Sequence, residues 1–105
     1  MPGSKDVKKN RSNVAPEAAE ALAIQALAFI AGEPERLGPF LTATGLEPAD
    51  IRRAARESGF LAGVLEHILG DENLLIAFAQ SAGIDPAEVV RASAALGGQW
   101  ERDLP

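Results

Sequence analysis

A chain of 105 residues is long enough for one domain and too short for two ordinary ones. At this size roughly 60–70% of the unfolded surface can be buried without covalent staples. With 0 cysteines, a disulfide framework, a thiolate metal site and a cysteine nucleophile are all excluded. The net charge of −5 is divided: Lys5, Lys8, Lys9 and Arg11 against Asp6 put +3 in residues 1–13, so the remainder carries −8. An acidic body repels polyphosphate, so nucleic-acid binding is disfavoured.

Residues 1–13 are polar and read as a disordered basic arm. They lack the apolar centre of a signal peptide, and the apolar run from Ala21 to Ala31 is about half a bilayer span. The expected location is cytoplasmic, with no membrane association.

From Pro16 the pattern is helical. Leu22, Ala23, Ala26, Leu27 and Ile30 recur at spacings of three and four, with Phe29 widening the stripe, which predicts a first helix over 16–31. Gly32 is placed to end it in the left-handed conformation. Glu33 followed by Pro34 predicts a second helix over 34–44, with Leu37, Phe40 and Leu41 inward. Pro39 inside it should kink it or delay its regular part. Gly45 ends it. Glu47 and Pro48 open a third helix, expected to reach Ser58.

The same grammar then returns. Phe60 to Leu69 form a fourth helix, and Gly70 and Asp71 stop it and cap a fifth, with Leu74, Leu75, Ala77, Phe78 and Ala82 buried. Gly83, Ile84, Asp85 and Pro86 restate Gly45, Leu46, Glu47 and Pro48, and a sixth helix is expected to end at Leu96, stopped by Gly97 and Gly98. Residues 99–105 form a tail with one anchor, Trp100.

Equivalent positions lie 38 residues apart: Gly32 with Gly70, Leu27 with Leu65, Ile30 with Ile68, Phe40 with Phe78, and Arg53 with Arg91. This offset predicts two three-helix repeats, 21–58 and 59–96, within a single helical domain over 16–98. The competing reading is independent use of common stop-and-start residues. Either way the expected fold is all-α, a compact orthogonal bundle of about six short helices.

No catalytic, cofactor-binding or metal-binding set is visible, so a non-enzymatic chain without cofactors is expected. His67 is the only histidine, and its place near a helix end is explained by the helix dipole. Asp71 and Glu72 are explained as a cap and a first-turn acid. A helix-turn-helix fits each unit only in part. Small Ala79 before Gly83, with Ile84, Val89 and Ala92, favours the second unit by shape. Arg52, Arg53 and Arg56 favour the first by charge, but bulky Leu41 occupies its close-packing position. The preferred reading is a protein–protein interaction or regulatory module, meeting a partner or itself, with Arg52, Arg53, Arg56 and Trp100 as the candidate partner-binding residues. The alternative is a nucleic-acid-binding regulator of helix-turn-helix type.

The runs Ala18, Glu20-Ala21-Leu22, Gln25-Ala26-Leu27, Pro34-Glu35-Arg36-Leu37, Phe40-Leu41, Thr44-Gly45-Leu46, Asp71-Glu72, Leu74-Leu75 and Ala77-Phe78-Ala79 resemble a family of short uncharacterised all-helical proteins from alphaproteobacteria. The resemblance covers about residues 18–97 and departs from the family at Gly38-Pro39. It implies a domain of unknown function and no site residues. The frequent neighbourhood of such genes to single-domain response regulators implies a regulatory partner.

Overall fold

In a computed structural model of the chain, backbone is described for residues 15–102 and side chains for residues 15–97. The expected arm over 1–13 lies outside the described residues. Among the described residues there are six α-helices, one short 3-10 turn and no strand.

Helix α1 (Pro16–Ala31) starts at a proline, whose fixed φ suits the first helical position. Its Ala19, Ala23, Ala26, Leu27 and Ile30 are buried. Gly32 does not take the expected left-handed form; its φ is −70°. Extended Glu33 (φ −139°) reverses the chain instead, and Pro34 begins α2 (Pro34–Thr44) at once. The regular part of α2 is not delayed by Pro39. The helix runs through that residue, whose missing N–H leaves the Glu35 carbonyl without its usual donor. Left-handed Gly45 (φ 73°) then ends it, donating to the Leu41 carbonyl at 2.8 Å.

The third helix departs most from expectation. A 3-10 turn (Pro48–Asp50) leads into a four-residue α3 (Ile51–Ala54), and nothing helical reaches Ser58. Asp50 is engaged locally, accepting from the Glu47 N–H at 3.4 Å and from Arg53 at 3.0 Å. The Arg56 and Glu57 amides bond back three residues, to Arg53 and Ala54, which tightens and closes the turn.

Ser58 already belongs to α4 (Ser58–Leu69), which buries Leu61, Val64, Leu65 and Ile68. Asp71 caps α5 (Glu72–Ala82), its carboxylate accepting from the Asn73 and Leu74 amides at 3.0 and 3.2 Å. Left-handed Gly83 (φ 71°) ends α5. Asp85 accepts from the Ala87 amide at 2.8 Å and opens α6. This helix spans Pro86–Arg102, so Gly97 and Gly98 lie within it rather than stopping it. Neither glycine adopts a positive φ, and without that reversal a glycine only weakens a helix.

The core is one cluster, filled by Ile30, Phe40, Leu65, Ile68, Phe78, Val89 and Leu96 with alanines between them. Helix α6 packs on both α1 and α4, which also pack on each other. Several positions 38 residues apart are buried alike. Buried Leu61, Val64, Leu65 and Ile68 of α4 are the counterparts of buried Ala23, Ala26, Leu27 and Ile30 of α1. Phe40 of α2 meets His67 of α4 edge-on at 5.1 Å; their counterparts Phe78 of α5 and Phe29 of α1 meet at 5.5 Å. Helices α2 and α5 pack mainly on α1 and α4 respectively, and these two aromatic contacts reach across to the other first helix. The Ser58 hydroxyl donates to its own counterpart, Glu20, at 3.0 Å.

Candidate protein-binding face

A helix whose apolar residues occupy one stripe buries that stripe and leaves a polar back. Helix α1 has apolar residues all round between Ala21 and Ala31. Opposite its buried side, Ala21, Ile24, Gln25 and Ala28 form a second stripe at helical spacing, and all four are exposed. Ile24 keeps 49% of its surface in solvent, comparable with Ile76 (43%) on α5 and Val90 (52%) on α6. No charged side chain interrupts the helix from Ala21 to Ala31.

The ends of this stripe are acidic. Glu17 and Glu20 precede it, and exposed Glu57 adjoins Ser58, which Glu20 binds. Glu33 and Glu35 follow it, both exposed. The first cation after them, Arg36, is turned inward. Its guanidinium sits 3.9 Å over the Phe29 ring, donates through Nε to the Phe29 carbonyl at 3.1 Å, and lies 3.6 Å from Glu33. Arg36 therefore closes the carboxyl end of α1, where carbonyls lack helical donors. Phe29 in turn packs on Phe78. Sequence periodicity could not reveal this clamp, because Arg36 and Phe29 are separated by a chain reversal.

The outward face of α4 is different in kind. Gly59, Ala62, Gly63 and Glu66 there, with Gly97 of α6, line a shallow groove of about 250 Å³. These four α4 residues are the 38-residue counterparts of Ala21, Ile24, Gln25 and Ala28.

Arg52, Arg53 and Arg56 are all exposed, but no single helix presents them. Arg52 and Arg53 lie on α3, Arg53 bonds Asp50 at 3.0 Å, and Arg56 lies beyond the helix end. Trp100 falls within α6, and its side chain is outside the described residues. In the second unit Ala79, Val89 and Ala92 are buried and Ile84 is half-buried, as a close α5–α6 approach requires. The one cation described on α6 with its side chain is exposed Arg91. His67 is half-buried, with its ring against Phe40. Among the described residues no group of three acidic, histidine or cysteine side chains is placed to hold a metal ion, and no helix is long and apolar enough to cross a membrane. The spacing of Ala23, Ala26, Leu27 and Ile30 gives the inward side of α1 in the sequence, and with it the outward side, but not that the outward side binds anything.

No curated protein and no solved structure matches the chain. A family model described as a protein of unknown function, DUF3572, matches residues 16–99.

Proposed function

The chain belongs to this DUF3572 family of proteins of unknown function, and from the geometry we propose that it is a non-enzymatic interaction module that meets its partner through the outward face of α1. The observation that carries the reading is Ile24, half exposed at the centre of an uncharged stripe. Contiguous exposed apolar surface of this kind marks interaction sites on soluble proteins. Duplication of a three-helix unit belongs to the same proposal. It is supported by the matched burial of α1 and α4 and by the reciprocal Phe40–His67 and Phe78–Phe29 contacts. The arginines at 52, 53 and 56 are secondary here, since they share no face of one helix.

The test is site-specific photo-crosslinking in cells. A crosslinking residue at Ala28 is expected to give a discrete adduct that disappears in the Ile24→Asp background, with helix content unchanged. One at Gln80, on the exposed side of α5, should give none. Adducts from both positions alike, or from neither, would defeat the proposal.

A further inference from the structure

Helix α6 is held in the bundle by α1 and α4 together, and near Gly97 it overhangs the α4 face made by Gly59, Ala62, Gly63 and Glu66. The counterpart of that face on α1 is Ala21, Ile24, Gln25 and Ala28. The counterpart of α6 itself is the segment from Pro48, which stays helical only as far as Ala54. Gly97 corresponds to Gly59, five residues beyond that end. The matching face of α1 is an exposed face rather than a groove, and the segment from Pro48 is too short a helix to overhang it as α6 does α4. Ala62 beside α6 is half-buried, whereas its counterpart Ile24 is exposed.

Resting on the reading of α1 as an interaction face, we infer that this exposed face takes a basic amphipathic helix from another protein. Charge selects that occupant. Between Pro16 and Glu35 there are four acids, Glu17, Glu20, Glu33 and Glu35, and no lysine or arginine. They bracket the stripe of Ala21, Ile24, Gln25 and Ala28 at both ends; Arg36 pairs with Glu33 at 3.6 Å, which leaves Glu17, Glu20 and Glu35 without an ion pair among the described residues. An incoming helix with an apolar stripe covers Ile24 and Ala28, and cationic flanks meet the brackets. A second copy of the chain is opposed by the −8 charge of the body outside residues 1–13. The arm over 1–13 has the right charge, but Met1 and Val7 are its only large apolar residues, too few to cover the stripe.

The experiment uses the full chain and three synthetic peptides of α6's length, read by fluorescence anisotropy. One is a leucine–lysine amphipathic helix, one carries glutamate in place of every lysine, and one has the lysine peptide's composition scrambled to destroy the apolar stripe. The lysine helix should bind, and its affinity should fall at least about tenfold for the glutamate peptide and about tenfold on raising salt from about 0.05 to 0.5 M. The scrambled peptide should not bind. Ile24→Glu and Ala28→Glu, both at exposed positions, should each abolish binding with Tm unchanged. Equal binding of the lysine and glutamate helices, lost in Ile24→Glu, would overturn the basic-helix inference and leave the interaction face standing. So would sedimentation showing a dimer of the full chain that Ile24→Glu dissolves. Binding that emerges only after removal of residues 1–13 would assign the face to the chain's own arm and overturn the inference. Lysine-helix binding indifferent to Ile24→Glu and Ala28→Glu would overturn the inference and the interaction face together.

Discussion

Arg36 shows how one side chain can serve two elements. Its guanidinium covers Phe29 and bonds the Phe29 carbonyl, so it ties the start of α2 to the end of α1. A hydrogen bond from a charged donor contributes about 1.5–3 kcal/mol, and an exposed cation–π contact about 0.5–1 kcal/mol. Arg36 is partly exposed and the carbonyl can rehydrate, so the loss in Arg36→Ala is expected at the low end, about 1–2 kcal/mol by urea denaturation. Arg36→Lys should recover little of it, since an ammonium cannot lie flat on the ring while donating sideways. Full recovery by lysine would reduce the clamp to its surface pair with Glu33. Nothing in the spacing of residues marks this contact. The glycines are a contrast: Gly45 and Gly83, each followed by an apolar residue, an acid and proline, were readable as stops, and both are left-handed. Gly32 carried a similar signal but did not need a positive φ, because extended Glu33 turns the chain.

Helix α2 keeps its course through Gly38 and Pro39, two residues that helices disfavour. Proline in a helix interior costs about 3 kcal/mol relative to alanine. Part of that is offset because proline also restricts the unfolded chain. Pro39→Ala should therefore stabilise the domain by about 1–2 kcal/mol. A loss of stability would mean that Pro39 helps to seat its neighbour Phe40, which is fully buried. Element boundaries divide the legible from the illegible. The ends of α1 and α2 and the start of α5 follow from prolines and caps in the sequence, and the structure places them there. The third and sixth helices depart from their local punctuation for one reason: packing, which punctuation does not encode, sets their length. Val89, Ala92 and Leu96 anchor α6 in the core, and the helix passes Gly97 and Gly98 without a reversing turn. Helix α3 buries nothing fully; Ile51 and Ala55 only flank the core, and past Ala54 the chain turns toward α4. The exposed face proposed for binding was half legible: periodicity sets which side of α1 is buried, but that the other side stays uncovered depends on where α4 and α6 pack.

At the scale of the molecule the dominant electrostatic fact is uncompensated acid. The two ion pairs among the described residues, Arg36 with Glu33 and Arg53 with Asp50, both span only three positions within one local segment. Neither joins distant parts of the chain, and local exposed pairs contribute little to stability. With −8 outside residues 1–13, the folded state gathers like charges that the unfolded chain spreads apart. Salt screens that repulsion, the Debye length falling from about 30 Å at 0.01 M to about 3 Å at 1 M. Thermal unfolding of the full chain should therefore shift upward by several degrees between about 0.02 and 0.5 M sodium chloride, at neutral pH. The counterions most effective at the acidic brackets of α1 are cations, so magnesium at equal ionic strength should raise Tm at least as much. A Tm that falls with salt would mean that attractive pairs outweigh the repulsion, and the acid around α1 would then lose its standing as the feature that selects a cationic partner.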